Sequence, residues 1–215
     1  MTRASIGRLV PVLALAAALM GTAGCGELAR TGRAPAFLIM ERLQARSGST
    51  GEIADSLSSD VQTIVEQQIG GQTVRVPTVF ADSGTASIRL GLKDPGTVAA
   101  PTTPSPLAQV TIYRYRVTFV RSDGRNTPGV DVPYGMDGAV TATISGTTAA
   151  TTVSFPLVTH AMKFEPPLRQ LIGLGGQAFI HTLAEITFYG RDQAGNEVSV
   201  NGFMTVNFGD FADPD

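Results

Sequence analysis

Two histidines, one cysteine and a set of turn-borne acids and amides are the residues of this 215-residue chain whose types could do chemistry. A zinc centre takes three or four ligands, and His160 and His181, with no cysteine or tightly spaced acid beside them, fall short of one. A Ser-His-Asp triad is assembled in space and not in sequence. The chain nevertheless has no Gly-x-Ser-x-Gly elbow, and Gly48-Ser49-Thr50-Gly51 lacks that pattern. Glu165, Glu185 and Glu197 are the type of acid that glycoside hydrolysis pairs, but solvated strand faces and loops account for them more simply. Asp123, Asn126, Asp131, Asp137, Asp192 and Asn196 fall in turns. Calcium draws six to eight oxygens from such loops, although the spacing here is not that of an EF-hand. Asp and Asn also favour turns because they hydrogen-bond their own backbone. Asp123, Asn126, Asp192 and Asn196 are therefore turn residues first and calcium candidates second. No phosphate loop or dinucleotide fingerprint is present, so no catalytic residue, metal or cofactor is expected.

The elements that would position these residues are strands. Val110–Val120 is the clearest, with Tyr113, Tyr115, Val117 and Phe119 expected on one face and Arg114, Arg116 and Thr118 on the wet one. Ala86–Leu92 alternates, placing Ile88, Leu90 and Leu92 together. Ala139–Ile144 and Thr152–Val158 read as another strand pair, joined by the turn-rich 145–150 stretch. Val61–Val65 reads as a short strand, and Thr73–Phe80 as an edge strand or strand end because of Pro77. Ala36–Ala45 fits a strand better than a helix, and Arg46–Ser59 reads as a loop. Residues 94–106 hold four prolines and form a long loop, and residues 122–137 form an irregular one. Pro166–Ile172 allows one helical turn. The count is eight or nine strands, with no sustained helix and no internal repeat, which favours a sandwich or barrel.

Two stretches carry family resemblances. The turn Asp192-Gln193-Ala194-Gly195-Asn196, entered from the aromatic strand ending at Phe188 and Tyr189, resembles the end of bacterial immunoglobulin-like and fibronectin-like domains. That resemblance implies an all-β, antiparallel Greek-key sandwich, here with extra N-terminal strands, over 36–215. At the other end, Arg3 and Arg8 precede a twelve-residue apolar run, Leu9–Met20, and small residues follow. This is the layout of a secretory signal; a spanning helix needs roughly 20 apolar residues. Thr22-Ala23-Gly24-Cys25 then resembles the bacterial lipobox, although the family usually has Leu where Thr22 stands. The resemblance implies diacylglycerol on the Cys25 thiol, cleavage after residue 24 and a tether over 25–35. Gly26 in place of Asp implies the outer membrane if the organism is Gram-negative. The whole mature chain resembles uncharacterised lipoproteins of bacterial envelopes, from which no site residue carries over.

Loss of Arg3 and Arg8 with the leader takes the formal charge from −2 to −4, which argues against nucleic acid as a partner. Cys25 is the only cysteine, so no internal disulfide forms. These features lead to an expected function: a lipid-anchored, non-enzymatic module that binds another envelope protein, using the 94–106 and 122–137 loops. Arg114, Arg116 and Arg121 could meet an acidic partner. A carbohydrate-binding or adhesion module is the alternative, with Tyr134 and Phe164 as its loop aromatics, and an envelope hydrolase stands third.

Overall fold

A computed structural model describes residues 32–211. Cys25, the leader and most of the tether lie outside the described residues. The fold is mostly strand and is arranged as a β-sandwich with one hydrophobic core between two sheets. One sheet holds β1 (Ala36–Arg46), β2 (Ile53–Ala54), β6 (Asp82–Leu92) and β9 (Thr151–Val158), in the order β2-β1-β6-β9. The other holds β3 (Ser56–Asp60), β7 (Val110–Val120), β8 (Met136–Ile144), β10 (Phe179–Asp192) and β11 (Glu197–Gly209), in the order β3-β11-β10-β7-β8. A separate two-stranded ribbon is built from β4 (Thr63–Ile69) and β5 (Gln72–Thr78). One short helix, α1 (His160–Lys163), and a 3₁₀ turn at Leu168–Leu171 follow β9. A cis peptide joins Pro166 and Pro167 within that segment.

Alternation decides the layers. Ala86, Ile88 and Leu90 of β6 are fully buried, as are Ala184, Ile186 and Phe188 of β10 and Val206 and Phe208 of β11. Phe155 of β9 meets Tyr115 at 5.1 Å and Phe188 at 5.2 Å between ring centroids, so three aromatic rings tie the two sheets together. Edge-on and tilted ring contacts of this kind add stabilisation beyond area burial. Gly84 makes room for them: a Cβ there would lie 2.3 Å from the Phe155 ring.

The structure corrects four expectations. Tyr113 is exposed and does not share the face of Tyr115. The β7–β10 register skips one residue, with Tyr189 opposite Arg114 and Gly190 opposite Ile112, so Tyr113 is the extra residue of a β-bulge. A bulge reverses the alternation on either side of it. Second, β8 and β9 are not a pair: β8 hydrogen-bonds to β7, whereas β9 crosses to the other sheet beside β6. Third, the 46–59 stretch is not all loop, since β2 and β3 lie in it. Fourth, the antiparallel expectation fails at β3, which runs parallel to β11 from Ser56 opposite Thr205 to Asp60 opposite Gly209. A single antiparallel label therefore does not fit the second sheet.

The registers also define two ends. Ala36 pairs with Leu92 and Arg46 with Ser83, so the chain enters at one end of β1 and the β4–β5 ribbon, which leads into β6, lies at the other. The eleven residues of β1 span roughly 33 Å. The 94–106 loop and the 192–196 turn share the entry end, with Lys93 N–H bonded to the Pro35 carbonyl at 3.1 Å. The 122–137 loop, α1 and residue 211 share the far end.

Candidate functional site

The far end holds a buried polar cluster in an otherwise apolar core. Lys163 sits on α1, whose start is capped by the Thr159 hydroxyl accepting from Met162 N–H. From this short helix the Lys163 side chain runs into the core. Its Nζ lies 2.8 Å from Asp82 Oδ2, and neither side chain has any exposure. Nζ also donates to the Asp60 carbonyl at 2.7 Å. Asp82 is saturated further by Gly48 N–H at 2.7 Å and the Ser59 hydroxyl at 2.6 Å. A buried ion pair is tolerated only where its remaining hydrogen-bonding capacity is met in this way. The Ser59 hydroxyl is therefore spent inside the protein and has no exposure.

Two more buried carboxylates stand beside the pair. The Asp60 side chain accepts from the Thr63 hydroxyl and from Phe211 N–H at 3.1 Å. Asp210 accepts from Gly173 N–H at 2.6 Å through Oδ2, while its Oδ1 is buried without a partner. Burial pushes the Asp60 carboxyl above its ordinary value of 3.8, and the charge of Asp210 adds to the rise against the lowering by its hydrogen-bond donors. Because the folded value is raised, Asp60 contributes stability below the unfolded value, and that contribution is lost as pH rises through the folded value. Thermal denaturation of Asp60→Asn against the parent from pH 4 to pH 7 is expected to show the variant gaining relative stability as pH rises. A pH-independent difference would contradict the assignment.

A cavity of 140 Å³ opens beside Asp60. Ser47, Ser49, Thr50, Ser56 and Ser58 line it with hydroxyl side chains. Glu52 and Asp60 line it too, and no Lys, Arg or His does. Strand alternation explains part of this set: Ser56, Ser58 and Asp60 share one face of β3, and Leu57 and Ser59 turn to the core.

The residues singled out from sequence are dispersed. Asp123 and Asn126 lie at the far end and Asp192 and Asn196 at the entry end. Asp123 bonds Arg121 at 2.5 Å, and with the Arg125 N–H this holds its carboxyl at about 2. Asn126 accepts from Arg121 N–H at 2.6 Å, and Asp131 pairs with Arg125 at 2.9 Å. Asp192 accepts from Ala194 and Asn196 N–H groups and from the Asn196 amide, closing its own turn. Asp137 makes a two-point contact with Arg116 at 3.0 and 2.9 Å, and Arg114 lies 3.9 Å from the same acid. Arg114, Arg116 and Arg121 thus all have acidic neighbours on this chain. Among the described residues, no three His, Cys, Asp or Glu side chains are grouped to hold a metal ion. His160 is exposed on α1, and His181 bonds Asn207 at 2.6 Å. Glu197 bonds Arg191 at 2.8 Å, whereas Glu185 stands on β10 and Glu165 in the connection after α1.

Tyr134 and Phe164 are both exposed at the far end, and the Tyr134 ring covers Gly129, where a Cβ would lie 2.3 Å from the phenol oxygen. Compared with known proteins, the chain matches no family model, no curated protein and no solved structure. Sequence reasoning missed Lys163, Asp82, Asp60 and Asp210. One signal was available: Lys163 is a single charge between Met162 and Phe164.

The ribbon is the other distinctive feature of the far end. From Glu66 to Arg75 every residue is exposed, so both faces of its outer part stand in solvent. Val65 lies opposite Val76, Gln67 opposite Val74 and Ile69 opposite Gln72, which gathers Val65, Ile69, Val74 and Val76 on one face. The other face carries Glu66 and Arg75, 3.6 Å apart, and Gln68 bonded to Thr73 at 2.6 Å.

Proposed function

We propose that this chain is a lipid-anchored module of the bacterial envelope that binds another envelope protein without catalysing a reaction. The observation that carries the reading is the β4–β5 ribbon. A lone two-stranded ribbon is marginal in water, and this one presents a valine and isoleucine face at the end of β1 away from the chain entry. The ion pair of Glu66 with Arg75 on its other face is internally neutral. The complementary partner is therefore an uncharged, apolar protein surface. The signal and lipobox residues before Cys25 support an anchor that would hold the entry end of the sandwich towards the membrane. In this orientation the ribbon and the 122–137 loop face away from the bilayer, and the 94–106 loop faces towards it. The ribbon thus replaces the 94–106 loop as the leading surface.

The strand order supports an immunoglobulin-type Greek key as the finer description. On that reading β1, β6 and β9 take the places of strands A, B and E, and β7, β10 and β11 those of C, F and G. The parallel β3 strand beside β11 is then a second segment of the first strand, and the ribbon is an insertion before the second.

Membrane fractionation after crosslinking in intact cells tests the reading. The parent chain is expected in the membrane fraction with one stoichiometric protein partner. Cys25→Ser is expected to release the chain from the membrane fraction, since stable anchoring depends on the acyl chains. Replacing residues 63–78 by a short Gly-Ser link is expected to leave the membrane address intact and remove the partner. Full partner recovery without the ribbon would refute the binding surface, and unchanged fractionation of Cys25→Ser would refute the anchor.

The carbohydrate reading keeps one supporting observation, the exposure of Tyr134 and Phe164 at the same end. A glycan array without binding above background would end it.

A further inference from the structure

The buried charges at the far end do not balance. Among the described residues three carboxylates there, on Asp60, Asp82 and Asp210, are at least 95 % buried, as their exposures of 3 %, 1 % and 4 % show, and one cation, Lys163, is buried with them. Lys163 is committed to Asp82 and to the Asp60 carbonyl. Asp210 Oδ1 has no partner. Uncompensated buried charge is costly, so such a cluster favours taking up a positive group.

The hydroxyl-lined cavity reaches this cluster at Asp60 alone, since Asp82 and Asp210 are not in its lining. It adjoins Asp60, and Phe211, which donates its N–H to Asp60 at 3.1 Å, forms part of its wall. A volume of 140 Å³ is close to the roughly 150 Å³ of an engineered cavity that admits benzene, so more than a single water fits. Asp60 accepts from the Thr63 hydroxyl and from the Phe211 and Gln62 N–H groups, which leaves one of the roughly four acceptor sites of an ionised carboxylate. Ser47 and Ser49 share one hydrogen bond at 3.1 Å and Ser47 also accepts from Thr50 N–H at 3.4 Å, so the Ser49 oxygen is the one that keeps accepting capacity. Every polar side chain in the lining is a hydroxyl or a carboxylate.

The donor set selects the cation. A metal centre is not supported, because no three ligating side chains of the His, Cys, Asp or Glu type are grouped among the described residues. A primary ammonium has different needs: three N–H donors, a compact charge and an alkyl stem. Lys163 shows how this end of the protein satisfies one from inside, with a carboxylate and a backbone carbonyl.

We propose that the cavity beside Asp60 binds a primary ammonium group of a partner polypeptide, a lysine side chain or a free amino terminus, with Asp60 as its counter-ion and Glu52 at its rim. The inference rests on the cavity and not on the lipid anchor or the ribbon, so it fails or stands separately from the proposed function.

Chemical-shift mapping of the purified chain at pH 6.5 tests it, using n-butylammonium chloride, glycinamide hydrochloride, calcium chloride and neutral n-butanol as probes. n-Butylammonium is expected to cause saturable shifts at the Ser49, Thr50 and Phe211 amides, and n-butanol none. Stronger binding of n-butylammonium than of glycinamide assigns a lysine side chain, and the reverse order assigns an amino terminus. Asp60→Asn is expected to weaken binding roughly ten- to a hundredfold, the range for losing a hydrogen bond to a charged group. Glu52→Gln, at an exposed position, is expected to weaken it roughly two- to fivefold. No saturable shift with either ammonium, equal shifts with n-butanol, shifts with calcium alone, or unchanged affinity in Glu52→Gln would overturn the proposal.

Discussion

Lys163→Met is expected to lower the unfolding free energy by about 3–5 kcal/mol. Methionine keeps most of the aliphatic volume, so the loss isolates the charge. Without Nζ, Asp82 is a carboxylate with no exposure and no cation, and the Asp60 carbonyl loses its donor. At a typical 2–4 °C per kcal/mol for a domain of this size, the midpoint falls by roughly 6–20 °C. The double variant Lys163→Met/Asp82→Leu is expected to recover only part of that loss. Removing both charges relieves the unpaired carboxylate, but Gly48 N–H and the Ser59 hydroxyl then lose their acceptor, at about 1–3 kcal/mol for a buried donor left unmade. Calorimetry of the two variants and the parent checks both statements. A single variant within 1 kcal/mol of the parent would mean that the pair is not buried as described.

Phe155→Ala is expected to cost about 3–5 kcal/mol, the usual range for a deleted core aromatic. Phe155 comes from the first sheet and packs against Tyr115 and Phe188 of the second. Its ring also fills the space above Gly84, which lies opposite it in the β6–β9 register. Truncation therefore opens a void against both sheets at a place where neither can relax alone. Chemical denaturation should show a lower midpoint with little change in slope. A cost below 1.5 kcal/mol, the range of volume-conserving swaps, would argue that the two sheets do not meet through this ring.

The strands were legible where one face is wet. β7, β10 and β11 alternate, and the bounds read as Val110–Val120 are those of β7, although the face of Tyr113 is not the one expected. Three things were hidden. The bulge at Tyr113 leaves no trace in the hydrophobic pattern, because a tyrosine suits either face. Partners between strands depend on long-range register, so β8 and β9 looked like a hairpin although the 145–150 connection carries the chain from one sheet to the other. Polar β3, Ser-Leu-Ser-Ser-Asp, reads as loop by composition. It becomes a strand through the edge of β11, which supplies a hydrogen-bonding ladder whatever the side chains are. The site was less legible than the fold. Asp60, Asp82, Lys163 and Asp210 are scattered over 150 positions and meet only because four chain segments end at one pole. The turn acids and amides were easier to see, and local pairing within their own turns accounts for them.

The central claim is that the ribbon end meets a protein partner, and site-specific photo-crosslinking in living cells tests it most directly. A photoreactive residue at Val74, on the apolar face of the ribbon, is compared with one at Val98, fully exposed in the 94–106 loop at the entry end. The account predicts one discrete protein adduct from Val74, lost when Ile69 and Val76 are both changed to Ser, and none from Val98. A protein adduct from Val98 with none from Val74 would contradict it.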